Sequence, residues 1–361
     1  MTNQETQINI FLKKSESKKV LLVTGKESYV NSGCKTLIDT LDDNMDFIRF
    51  YKFAENPNII DLTKGIKLFN ETQCDSVIAV GGGSVMDMGK LISLLTINCL
   101  QDITSIDRYA NNNKRTIPLM CIPTTAGSGS EATHFSVLYS SGVKYSVSNP
   151  LLIPDRNILN PKYSFTTSPN QRAISGLDAL SQAIESFWAK NSTKESRQYS
   201  EEALRLIWNN LHDSVELNSF GAHKNVFKGS HLAGKAINIS KTTAPHALSY
   251  YFTEKHSIKH GQAVALTFPR IYYLNRLEAL KSKDKNIKNI FIQMDKILGI
   301  NKNSSHVIEN FIRKLKIETS FSKLGIDLKN ELEIIKLMVN SDRFENNPFQ
   351  ISINDIFKES L

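Results

Sequence analysis

As far as Pro161, short unbroken apolar runs alternate with longer stretches of helical periodicity. Val20-Leu21-Leu22-Val23 reads as a strand buried on both faces, and residues 30–41 read as the helix that follows it. Residues 47–53 predict a second strand, 58–70 a helix, 76–80 a strand running into Gly81, and 116–122 a further strand. Strands and helices in alternation predict a parallel sheet covered on its faces by helices. Beyond Pro161 the β-branched runs thin out and helical periodicity dominates to the end. Residues 159–169, which hold Pro161 and Pro169, read as the hinge. The pattern predicts an α/β domain over 1–165 and an all-helical domain over 166–361, with no internal repeat.

Length and composition agree with two globular units. A chain of 361 residues exceeds one ordinary core, and 40% hydrophobic with 22% charged residues is ordinary globular usage. No apolar run reaches the ~18 residues of a membrane span, and the first residues lack the apolar block of a signal peptide. Cys34, Cys74, Cys99 and Cys121 show neither C-x-x-C spacing nor disulfide-scaffold density, which predicts a reduced, cytoplasmic setting. The net charge of +8 comes from scattered lysines with no aromatic interleaving. That distribution argues against a nucleic acid as partner, and a small anionic substrate explains the positive excess equally well; no membrane partner is expected. The lysine- and asparagine-rich patch at 281–288 reads as exposed surface.

Two small-residue loops follow strands. The strand at 76–80 enters Gly81-Gly82-Gly83-Ser84, and a helix opens at Val85-Met86-Asp87. A strand, a glycine turn and a helix start together let backbone N–H groups approach a pyrophosphate, although the spacing is not G-x-G-x-x-G. Ser84 and Asp87 also have the spacing of a capping box. Thr124-Thr125-Ala126-Gly127-Ser128-Gly129 follows the next strand. Two such loops at the carboxyl ends of strands predict a cofactor crevice.

The helical half carries metal-ligand chemistry. On a helix over 174–188 the apolar face is Leu177, Leu180, Ile184, Phe187 and Trp188, and Asp178 and Gln182 share a neighbouring stripe. Further on, Lys241-Thr242-Thr243-Ala244-Pro245-His246 reads as a helix start with Thr243 as N-cap. Its free N–H groups and Lys241 predict an anion site one turn from His246. The same residues also fit a capped core helix with a satisfied histidine. Asp178, His246 and His260 make a two-histidine, one-carboxylate set suited to Fe(II) or Zn. Arg172 and Arg197 read as solvated surface or as further anion-binding groups.

GGGSVMDMGK, PTTAGSGSEAT, SGLDALSQAIES, the His246…His260-Gly261 pair with AVALTFPRIYYLN, and Arg343-Phe344-Glu345-Asn346-Asn347-Pro348 resemble the iron-dependent (group III) alcohol dehydrogenases. Those are relatives of glycerol dehydrogenase and dehydroquinate synthase. The resemblance implies a Rossmann-like, dinucleotide-binding α/β domain and a helical metal- and substrate-binding domain, in a homodimer. It implies that Gly81, Gly82, Gly83 and Ser84 hold the pyrophosphate while Asp87, Thr124, Thr125, Ser128 and Lys144 position the rest of the cofactor. Asp178, His246 and His260 fall on three of the family's metal positions, and Gln182 stands where the fourth, a histidine, is usual. Tyr250 replaces a further family histidine ten residues before the last ligand, where it faces substrate and donates a proton or simply packs. Gly25 stands where the family often carries an aspartate that rejects the 2′-phosphate, and Lys26 follows it. Replacing repulsion by attraction predicts NADP(H) over NAD(H).

Lys241 to His246, Gln182 and Val143-Lys144-Tyr145-Ser146 resemble the phosphonoacetaldehyde reductase branch. The resulting expectation is a metal-dependent reductase that converts phosphonoacetaldehyde to 2-hydroxyethylphosphonate, with Lys241 at the substrate's anionic group. The alternatives are a reductase of an uncharged short aldehyde or polyol, a dehydroquinate-synthase-like lyase, and an inactive nucleotide-binding homologue.

Overall fold

The computed structural model describes residues 3–41, 45–95, 117–140, 143–301 and 304–358. The chain divides into two compact units, Met1–Thr167 and Ser168–Leu361. Cys99, and Thr116 at the start of one predicted strand, lie outside the described residues.

The first unit contains strands β1 (Lys19–Thr24), β2 (Asp46–Phe50), β3 (Ser76–Gly81), β4 (Leu119–Pro123), β5 (Phe135–Ser140), β6 (Val143–Ser148) and β7 (Arg156–Asn157). Five of them form a parallel sheet in the order β2-β1-β3-β4-β7. The period of two in a strand sorts its side chains onto two faces. Val20, Leu22, Ile78, Val80, Met120 and Ile122 join one apolar core with Ile8, Phe11 and Leu12 of helix α1 (Asn3–Lys14). Leu21, Val23, Val77, Ala79, Leu119 and Cys121 join the other. That second face is covered by α4 (Ile59–Glu71) and α5 (Gly83–Leu94). Burial on both sides explains why these strands read as continuous apolar runs.

The helix expected over 30–41 is instead two short pieces, α2 (Ser28–Asn31) and α3 (Cys34–Asp39). The break falls at Gly33, whose φ of 80° is left-handed. The second strand ends at Phe50 rather than at residue 53. The antiparallel hairpin β5–β6 goes unpredicted, because its half-exposed, serine- and tyrosine-rich strands carry no apolar run. The sheet order reverses between β1 and β3, so the crevice outside their carboxyl ends is where such a sheet binds ligands.

A short helix, α6 (Pro161–Phe165), closes the first unit. In the second unit α7 (Pro169–Trp188) packs against α8 (Lys194–Glu216), α9 (Phe220–Ser240) and α11 (His260–Ala265), and α10 (Ala244–His256) precedes α11. Further helices continue to Ile353–Phe357. Among the described residues no helix is long and apolar enough to cross a membrane.

Candidate metal centre and nucleotide cradle

Asp178, Gln182 and Glu185 on α7 recur at i, i+4 and i+7 and so fall within a ~60° stripe. All three are buried, and Glu185 is fully so. His246 lies in the first turn of α10 and His260 opens α11. One ligand atom from each of Asp178, His246 and His260 lies within 4.8 Å of the others. His246 Nε2 is 3.2 Å from Asp178 Oδ1, and His260 Nε2 is 3.9 Å from the same oxygen. The two imidazoles meet edge to face, with centroids 5.3 Å apart. His260 is the partly exposed member of the set.

His246 Nδ1 donates to Glu185 Oε1 at 2.5 Å, a contact that holds one ring tautomer and turns Nε2 toward Asp178. Burial alone lowers this imidazole's pKa, but the Glu185 and Asp178 carboxylates outweigh it and hold the value up to about 9. Two buried carboxylates around imidazole nitrogens therefore make a place where positive charge is favoured. A divalent metal fits this donor set: one carboxylate and two imidazole nitrogens of the borderline type that Fe(II) and Zn accept. Gln182 sits one turn from Asp178 on the same stripe, and its buried Oε1 accepts no hydrogen bond from the described residues. Tyr250 is buried one turn after His246 on α10.

At the helix start expected to bind a substrate anion, Thr242 and Thr243 have partners within the chain. Thr243 is the N-cap residue, yet its side chain makes no capping bond. Its N–H donates to Glu185 Oε2 at 2.7 Å and its hydroxyl to the same oxygen at 3.0 Å, while Trp188 Nε1 donates to Thr243 Oγ1 at 2.9 Å. An internal carboxylate thus occupies the positive end of α10. Thr242 is buried and its hydroxyl accepts from Arg343, and Asn346 Nδ2 donates to the Ser240 and Thr242 carbonyls at 2.8 and 2.9 Å. The Arg343–Asn346 stretch therefore clamps the loop that delivers His246. Lys241 is exposed, with a left-handed φ of 61°, and its N–H caps α9 by donating to the Ile237 carbonyl at 2.9 Å. Arg172 is buried rather than solvated, with Nη2 2.6 Å from Asn218 Oδ1. Arg197 Nη1 donates to Ser192 Oγ at 2.8 Å.

In the first unit, Gly81 ends β3, Gly82 is the N-cap of α5, and Gly83 and Ser84 open the helix. The serine is a helical residue, so Ser84 and Asp87 form no capping box. A Cβ on Gly82 would stand 3.2 Å from Thr125 Cγ2, and one on Gly83 2.9 Å from Ser128 Oγ. The missing side chains are what keep the glycine turn and the loop after β4 in close approach. Thr124 is buried there with its Oγ1 unpartnered among the described residues. A bare helix start beside an unsatisfied hydroxyl fits a pyrophosphate.

Asp87 lies one turn into α5 from the glycine turn. Its oxygens accept from Ser130 Oγ at 2.7 Å and from the Val137 N–H at 3.0 Å, which ties α5 to the hairpin. These bonds give Asp87 a supporting role in holding the hairpin on α5. Burial raises its pKa, while the charges of Lys90 and, on β6, of half-buried Lys144 oppose the rise. Lys90, which the sequence reading passed over, is fully buried and donates to the carbonyls of Thr133 at 2.9 Å and Phe135 at 2.8 Å. Gly25 follows β1, and Lys26 beside it is exposed.

Comparison with known proteins places this geometry. Residues 2–161 match the family described as iron-containing alcohol dehydrogenase, and residues 172–359 match the C-terminal domain of the same family. The chain belongs to the iron-containing alcohol dehydrogenase family. It is 32% identical over 211 residues to long-chain-alcohol dehydrogenase 1 of Geobacillus thermodenitrificans, covering 58% of this chain and 53% of that one. It is 30% identical over 266 residues to 1,3-propanediol dehydrogenase of Citrobacter freundii, covering 72% and 68%. The aligned stretch thus spans about half the length of the first of these relatives. The crystal structure of sulfoacetaldehyde reductase from Bifidobacterium kashiwanohense in complex with NAD+ is similar over the whole chain and 94% of that chain, with a TM-score of 0.84 and 26% identity.

Proposed function

We propose that this protein is a metal-dependent, NADP(H)-linked aldehyde reductase acting on a short aldehyde that carries a phosphonate or sulfonate group. The observation that carries the reading is the convergence of Asp178, His246 and His260, set beside Glu185. When bound, a divalent metal supplies Lewis-acid polarisation of a carbonyl oxygen and a reduced nicotinamide supplies hydride. Asp178, His246 and His260 hold the metal, with Gln182 one turn away. Glu185 keeps the proton on Nδ1 of His246, which leaves Nε2 free to ligate. Gly82, Gly83 and Ser84 offer backbone N–H groups to the pyrophosphate, and Thr124, Thr125 and Ser128 wall the cradle.

The anionic substrate is supported by the likeness to the sulfoacetaldehyde reductase, whose substrate carries a sulfonate. It draws no support from the start of α10, which Glu185 fills. Phosphonoacetaldehyde remains the substrate we favour, in the cytoplasm and in a homodimer. Initial rates with phosphonoacetaldehyde, sulfoacetaldehyde, propanal and 3-hydroxypropanal, each with NADPH and NADH, test the reading. We expect kcat/KM at least ~10-fold higher for the charged aldehydes. Equal or better turnover of the uncharged pair overturns the anionic substrate, and turnover without net NADPH consumption overturns the reductase.

A further inference from the structure

Arg49 is the penultimate residue of β2, the edge strand beside β1, and pairs in register with Leu22. Its Nε donates to Thr24 Oγ1 at 2.8 Å, and its Nη2 donates to the carbonyls of Gly25 and Lys26 at 3.0 Å each. The guanidinium also lies between two aromatic rings, with Cζ 4.7 Å from the Tyr29 centroid and 4.4 Å from that of Tyr51. These contacts fix the plane of the fork against the loop after β1, yet they use only two of its three nitrogens. Among the described residues Nη1 makes no hydrogen bond, and neither Arg49 nor Lys26 is in an ion pair. Glu27, the one carboxylate of this loop, is exposed and caps nothing with its side chain.

Two cations without a counter-charge therefore flank Gly25. A Cβ at Gly25 would lie 2.2 Å from Ser28 Oγ, so the Ser28 hydroxyl takes the place of a side chain between them. This spot is at the carboxyl end of β1, beside the place where the strand order reverses. In doubly wound sheets the adenosine ribose lies on this side of the pyrophosphate, and an arginine there accommodates a 2′-phosphate. A rigid guanidinium fork with an open nitrogen suits a phosphate dianion better than a ribose hydroxyl.

We propose that Arg49, assisted by Lys26, reads the 2′-phosphate of NADP(H) and is the specificity-determining residue for the cofactor. The proposal rests on the NADP(H) reading above and assigns it to a side chain. Equilibrium binding of NADPH, NADH, 2′,5′-ADP and 5′-AMP, followed by calorimetry, tests it without any turnover. Wild-type protein is expected to bind NADPH and 2′,5′-ADP roughly 10- to 100-fold more tightly than NADH and 5′-AMP. Arg49→Gln should lose most of that ratio while NADH and 5′-AMP change by less than about threefold, and Lys26→Gln should lose a smaller part. Arg49→Lys, which keeps the charge without the fork, should fall between.

If Arg49→Gln and Arg49→Lys weaken both cofactors in equal proportion, Arg49 is a strut for the loop after β1 and the proposal fails. Unchanged selectivity in a folded Arg49→Gln variant also overturns it. Wild-type protein that binds NADH as tightly as NADPH overturns the NADP(H) reading itself, a result visible before any substitution is made.

Discussion

Glu185 is the residue whose role most changes the picture of the metal centre. One of its carboxylate oxygens accepts a hydrogen bond from Nδ1 of His246, and the other accepts from the N–H and hydroxyl of Thr243. The same group therefore orients a ligand and closes the positive end of α10. Glu185→Gln keeps the volume but removes the charge, so imidazole loses the acceptor that sharpens its basicity. Metal affinity should fall about 10- to 100-fold, measured by competition with a chromophoric chelator. An unchanged affinity would reduce Glu185 to a packing group. Glu185 was within reach of the sequence, since it continues the stripe of Asp178 and Gln182 by one more turn. Its partners were not, because Thr243 and His246 lie 58 and 61 residues further along. A sequence shows that a helix begins at Ala244, but not which carboxylate fills its positive end. That is why the engagement of Thr242 and Thr243 within the chain was not foreseen, while Lys241 stays exposed.

At the scale of elements, the glycine after His260 sets how closely α11 crosses α7. A Cβ at Gly261 would stand 2.1 Å from the Ile174 carbonyl oxygen and 3.1 Å from Asp178 Cβ. Backbone cannot move aside as a flexible side chain can, so Gly261→Ala must push α11 outward and carry His260 away from Asp178. We expect a thermal unfolding loss of about 1–3 kcal/mol and at least ~10-fold weaker metal binding. Gly221→Ala, where the nearest atom to a Cβ is Ser219 Oγ at 3.9 Å, is the matched control and should leave both properties nearly unchanged. Equal effects of the two substitutions would contradict the close-crossing account. The elements themselves were legible wherever burial is two-sided. Residues 20–23 and 76–80 are apolar without interruption because cores form on both faces of the sheet. The hairpin β5–β6 was not legible, since one alternating face of Phe135–Ser140 stays only partly buried.

Across the whole molecule, the candidate nucleotide cradle and Arg49 belong to Met1–Thr167, and the candidate metal donors Asp178, His246 and His260 belong to Ser168–Leu361. The motifs that mark each half carry backbone constraints: glycines where loops approach, and a His-Gly pair where helices cross. Such constraints survive in a single sequence, which is why the family was readable from it. Substrate charge was not readable, because it depends on which side chains remain unpartnered once the chain has folded. The central claim is that Asp178, His246 and His260 hold a metal the reaction requires. The direct measurement is an anaerobic titration of chelator-stripped protein with Fe(II), following NADPH oxidation at saturating phosphonoacetaldehyde. The rate should rise at least ~100-fold to a plateau at one metal per chain, with Asp178→Ala staying flat. Full NADPH-consuming turnover by the stripped protein, or the same rise in Asp178→Ala, would contradict the account.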